Sequence, residues 1–205
     1  MNNNFLSIKV LLFAIFLVLL SFIWQGNIGF GLSDESFLWY GFQRVLLGEV
    51  PIRDFMSYDP GRYYFSAGLA KLFGDSGIMS LRASVAVLQA LGLFVGLFLI
   101  IQSRRIKSKS DMIFILLAAI TLIIWMLPRH KLFDISISIF LIGILTYLIL
   151  NPVSKRYFLT GVCVGLIAFF GRNHGVYGAI GSLGVIAWLS IQNQSNISFI
   201  KAISF

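Results

Sequence analysis

The side chains with chemical potential in this sequence are few and grouped. An acidic pair, Asp34-Glu35, follows the first apolar run and belongs to a polar stretch, residues 25–77. That stretch also holds Arg44, Glu49, Arg53, Asp54, Asp59, Arg62, Lys71 and Asp75. The turns Pro128-Arg129-His130-Lys131 and Gly171-Arg172-Asn173-His174-Gly175 carry the 2 histidines of the chain, each beside cations. Carboxylates and imidazoles exchange protons and ligate divalent ions. His130, His174, Asp34 and Glu35 offer nitrogen and oxygen donors, yet no H-x-x-x-H or comparable spacing joins them. The expectation is therefore no cofactor, with a divalent metal as the alternative. Asp34 and Glu35 have a plainer use as well, since acids in the first turn of a helix complement its positive end. The single Cys163 forms no internal disulfide. No phosphate-binding glycine loop, dinucleotide fingerprint or internal repeat is visible, and the lack of an ATP motif argues against a primary pump.

The elements that must position these groups are membrane helices. Of 205 residues, 58% are hydrophobic and only 12% charged, against about 25% charged in a soluble domain. Mean hydropathy is +0.89. This excludes a disordered chain, a soluble nucleic-acid binder and a secreted disulfide scaffold. The net charge of +8 has a topological reading, because basic residues collect beside membrane spans. About 20 apolar residues cross a hydrocarbon core of roughly 30 Å. Spans are expected at about 7–24, 82–101, 111–127 and 132–150, and the apolar stretch 157–191 divides into about 157–170 and 175–191. The fold class is thus an all-α polytopic membrane protein of about six transmembrane helices, forming one transmembrane domain over residues 1–205.

Charge orients it. With the N-terminus inside, the inner segments and their edges hold Lys9, Arg104, Arg105, Lys107, Lys109, Lys155, Arg156 and Lys201 against the single acid Asp111. The run Arg104-Arg105-Ile106-Lys107-Ser108-Lys109 reads as an inside anchor. The polar first loop and both histidine-bearing turns then share the outer face, and polar groups concentrated there suggest a site at that interface. Asn193 and Asn196 head glycosylation sequons but fall inside, so they should be silent. Gly161 and Gly165 form a G-x-x-x-G pattern that suits close helix packing.

Within the first outer loop, Ser33 suits an N-cap and Gly48 a helix stop. The aromatic helix between them, about 34–47, is too short to span and suits the headgroup layer. Pro60-Gly61 reads as a turn before a second interfacial helix, about 62–73, stopped by Gly74.

The ordered series in this loop is familiar. It runs Asp34-Glu35, Gly48-Glu49-Val50-Pro51-Ile52-Arg53-Asp54-Phe55, Tyr58-Asp59-Pro60-Gly61, Lys71-Leu72-Phe73-Gly74, and then Arg82 opening the next span. It resembles the N-terminal part of lipid-linked-sugar glycosyltransferases of the GT-C fold, in the branch with protein mannosyltransferase-like and RgtA/B/C/D-like enzymes. The chain has Ile52 where that pattern carries Tyr, and Asp59 where its turn carries a first Pro. The resemblance covers about residues 5–100.

What the resemblance implies is transfer of a sugar from a polyprenyl-phosphate donor to a glycan, lipid or protein acceptor. The transfer takes place on the outer face of the plasma (inner) membrane, with no nucleic-acid partner. The family analogue of Asp34 is the base that takes the acceptor proton, with Glu35 the adjacent alternative. Arg129, His130, Lys131, Arg172 and His174 are candidates for the leaving phosphate, as Arg and Lys are phosphate partners. Each also has a plain reading as a snorkelling or loop residue. Arg53, Asp54 and Arg62 either brace the loop by pairing or contact the donor. Members of this family carry more spans than six. The chain is accordingly expected to be a truncated product, an N-terminal piece or a small protein reusing the fold. The contrasting class is a non-catalytic membrane protein: a truncated pseudoenzyme, a scaffold or a transporter subunit in envelope glycan assembly. A transporter should place polar groups at mid-membrane, whereas these spans hold mostly Ser, Thr, Gly and the lone Gln89.

Overall fold

A computed structural model describes residues 3–32, 34–104, 109–126, 132–192 and 202. All regular elements among them are helices: α1 (Asn3–Gln25), α2 (Asp34–Leu46), α3 (Pro60–Phe73), α4 (Ile78–Ser103), α5 (Lys109–Trp125), α6 (Leu132–Leu150), α7 (Ser154–Phe170) and α8 (Arg172–Ile191). Six of them lie where the six spans are expected. Four, over Leu6–Gln25, Ile78–Ser103, Leu132–Leu150 and Arg172–Ile191, are long and apolar enough to cross a membrane. The remaining two, α5 and α7, have 17 residues each, and at 1.5 Å per residue they reach about 25 Å. The chain has the build of a helical membrane protein. Leu12, Phe16 and Ile23 of α1 are 60%, 55% and 74% exposed, an apolar face of the composition that suits lipid contact.

Several boundaries differ from the sequence expectation. Pro60-Gly61 is not a free turn: Pro60 opens α3, with Asp59 at the N-cap position. Proline fits there because the first helical N–H has no intrahelical acceptor to lose. The segment Arg172-Asn173-His174 is not a turn either. It forms the first turn of α8, so the break between α7 and α8 narrows to Gly171. The helix expected from 82 starts four residues earlier, at Ile78. Gly48 and Gly74 do end their helices, with φ of +90° and +69° that a side chain would resist. Ser33, residues 105–108, residues 127–131 and the two sequons lie outside the described residues.

The chain divides into two compact units, Met1–Ser136 and Ile137–Phe205, with the division inside α6. In the first, Val10, Ala14 and Val18 of α1 meet Leu93, Leu97 and Ile101 of α4, with Ala119 of α5 against them. Spacing of four on both helices is one ridge packing into one groove. A Cβ at Gly92 would meet the Ser136 side chain, so the first turn of α6 sits close against α4. In the second unit, α7 packs on α8. The close approach uses Gly175, opposite Ala168, and Gly178, opposite Val164. Gly165, half of the expected packing motif, faces open space.

Candidate functional site

The start of α2 is held by one arginine. Arg82 is the sole charged side chain of α4, and its guanidinium is buried against Glu35. Nε lies 2.8 Å from Glu35 Oε1 and Nη2 lies 3.1 Å from Oε2. Nη1 donates to the Gly26 carbonyl and Nη2, at 2.5 Å, to the Gly29 carbonyl. The Gly31 N–H donates to Glu35 Oε2 at 2.9 Å. Both residues are only 7% exposed. A planar fork of donors suits this bidentate arrangement, and the remaining N–H groups satisfy carbonyls that have left the helix ladder of α1. The result is a clasp joining the end of α1, the loop 26–31, the first turn of α2 and the first turns of α4. Arg82 entered the sequence reading only as the opening of a span. The signal that marks it is an isolated cation inside an apolar run.

Asp34 stands beside this clasp as the first residue of α2 and is exposed. The acidic pair therefore divides: Glu35 is buried and paired with Arg82, while Asp34 is exposed.

Around the pair, α2 and α3 lie against each other at Gly41, where any Cβ would strike the Tyr63 ring. Phe55 packs edge-on against both Tyr40 and Tyr63, which seats the loop 50–55 on the two helices. Burial pushes the Tyr63 phenol up to about 12, so it stays neutral and is no base near pH 7. Gln43 Nε2 donates to the Ser76 carbonyl at 2.7 Å and ties α2 to the turn before α4. In that turn Asp75 accepts from Ser80 Oγ at 2.7 Å and from the Gly77 N–H at 3.0 Å. These bonds hold its carboxyl below the usual carboxylate range.

Two other arginines of the loop, Arg53 and Arg62, are bracing groups. Arg53 pairs with its neighbour Asp54 through two bonds of 2.8 Å. Arg62 bridges Asp59 at 3.1 Å and Asp134 at 2.6 Å, and lies over the Phe133 ring. Arg62 thus fastens α3 to the start of α6. Asp54 also accepts from the Val50 N–H at 2.8 Å. The Arg53 bonds, then the Val50 bond, hold Asp54 at about 2, against an ordinary 3.8. The loop contact is therefore complete above the ordinary value and is lost only as pH falls through about 2. A carbon-13 NMR titration of the Asp54 carboxyl should give that midpoint in the native chain, and an upward move toward the ordinary range in Arg53→Gln.

Between these bonds Ile52 has φ of +75°, a conformation that costs a β-branched residue about 1–2 kcal/mol. Its side chain is 68% exposed, so little packing offsets the strain. Ile52→Gly should raise stability by up to about 1 kcal/mol, read as a higher midpoint in thermal unfolding in detergent.

Arg129, His130 and Lys131 lie outside the described residues. Arg172 and His174 occupy the first turn of α8 in the second unit, where the His174 ring meets Tyr177 edge-on at 6.1 Å. No protein-family model, curated protein or solved structure matches the chain.

Proposed function

We propose that this chain is an integral-membrane glycosyltransferase of the GT-C type, or the N-terminal part of one. In this reading six helices span, α2 and α3 lie at the outer membrane surface, and the N-terminus is cytoplasmic. The donor is a sugar on polyprenyl phosphate and the acceptor hydroxyl belongs to a glycan, lipid or protein. Asp34 takes the proton of that hydroxyl as its oxygen attacks the anomeric carbon. The carbon–oxygen bond to phosphate breaks, and the polyprenyl phosphate leaves with the electron pair. Arg129, Lys131 and Arg172, with His130 and His174, are the candidates the sequence offers for stabilising the charge on the leaving phosphate.

The observation that supports this most is the divided acidic pair. A buried Glu35–Arg82 clasp is a fixed support beside the end of α1, and the neighbouring carboxylate, Asp34, is exposed. Arg53 and Arg62, already paired, brace the loop.

Sidedness tests the reading. Membrane vesicles of both orientations would be supplied with a labelled sugar on short-chain polyprenyl phosphate that does not cross the bilayer. Transfer confined to right-side-out vesicles is expected. Equal transfer in inverted vesicles, or transfer equal to that of membranes lacking the protein, would contradict it.

A further inference from the structure

A cavity lies at the other end of α2. It has a volume of about 250 Å³ and is lined by Val45, Gly48, Glu49 and Val50 from the end of α2 and its turn, and by Tyr64, Ala67, Gly68 and Lys71 from α3. The α3 residues follow i, i+3, i+4, i+7, so they share one face of that helix. Val45 is eleven residues along α2 from Asp34, or about 16 Å at 1.5 Å per residue. The cavity is therefore separate from the acidic pair.

Its charge is uneven. The Glu49 carboxylate is neutralised by Arg44, whose Nε lies 2.5 Å from Oε2. Lys71 lines the same cavity and has no carboxylate within ion-pair distance among the described residues. Of the two charged side chains that line the cavity, Lys71 is the one without an ion-pair partner among the described residues, and its complement is a small anion. The walls are mostly aliphatic, and the flanking Leu47 and Leu72 are 76% and 81% exposed. Lys71 also precedes the first residue of the candidate span α4, Ile78, by only seven positions, which in the spanning reading proposed above keeps it near the level where that helix leaves the apolar layer. A compact cation, an aromatic hydroxyl-bearing wall and an exposed aliphatic rim at that level fit a phosphate carried on an apolar chain.

We propose that this cavity binds the phosphate headgroup of a membrane amphiphile, with Lys71 as the charge partner and Leu47 and Leu72 against the chain. The site is independent of sugar transfer and requires no catalysis.

The test is binding by the purified full-length protein in detergent, measured by native mass spectrometry with dioctanoyl phosphatidic acid. The matched dioctanoylglycerol and inorganic phosphate serve as the two control probes. Lys71→Gln should weaken phosphatidic acid binding by roughly tenfold or more, the scale of one hydrogen bond to a charged group, and Lys71→Arg should retain it. Gly68→Leu should abolish it, because a Cβ at Gly68 meets nothing within 4 Å and the longer side chain would fill the cavity. Circular dichroism would verify that each variant keeps its helix content. Three results would overturn the proposal: dioctanoylglycerol binding as tightly as phosphatidic acid, inorganic phosphate binding as tightly as phosphatidic acid, or Lys71→Gln and Gly68→Leu both binding like the native chain.

Discussion

Arg82→Leu should destabilise the protein by about 3–5 kcal/mol, the scale of breaking one partner out of a buried ion pair. The substitution removes the guanidinium while leaving the Glu35 carboxylate in a site that is only 7% exposed. It also strips the Gly26 and Gly29 carbonyls of their donor. The penalty belongs chiefly to the stranded charge. Removing both charges in Glu35→Leu/Arg82→Leu should therefore recover most of the loss, since a well-packed apolar pair is often as stable as the ion pair it replaces. Thermal unfolding in mild detergent, followed by helix signal, measures both variants against the native chain. A native-like midpoint for Arg82→Leu would mean that the clasp does not hold α1, α2 and α4 together.

Asp34→Asn should lower sugar transfer by about 10²–10⁴-fold, the usual contribution of a positioned general base, with no change in stability. The pairing of those two outcomes separates the two uses of an acid at a helix start. Asn serves a helix N-terminus about as well as Asp, so a side chain that only caps would tolerate the change in every assay. A base would not, because the amide cannot take a proton. Glu35→Gln should behave in the opposite manner. It removes a buried charge from Arg82, so its first effect is on unfolding, and any loss of transfer follows from misplacement of α2. Measuring transfer per folded chain for both variants distinguishes the neighbouring acids. Loss in Glu35→Gln at full stability, with full transfer by Asp34→Asn, would assign the base to Glu35.

Much of the helix pattern was legible because apolar run length and glycine stops are local signals. Gly48 and Gly74 end α2 and α3 through backbone conformations that favour glycine, and that preference is visible without tertiary contacts. The boundaries that moved depended on reading a polar cluster as a turn. Pro60 suits either a turn or the first position of a helix, and only the chain before it decides. Arg172 and His174 are polar yet helical, because helix starts tolerate polar residues well. The clasp was illegible for a different reason. Glu35 and Arg82 are 47 positions apart, and nothing in their spacing announces that they meet. The acidic pair was visible as a pair, but its division into one buried and one exposed carboxylate needed the position of α4. Likewise Arg62 finds Asp134 over 72 positions, whereas Arg53 and Asp54, as neighbours, were a local pair that sequence alone could propose. The cavity beside Lys71 draws on two helices and a turn, and no single motif marks it.

The most direct test of the central claim is transfer itself. Membranes containing the native protein, membranes lacking it and membranes containing Asp34→Asn at equal abundance would each receive a labelled sugar on polyprenyl phosphate. Label joined covalently to an acceptor should appear with the native protein alone. The same amount of labelled product in all three membranes would contradict the account, and so would its absence from all three when the protein is folded and inserted.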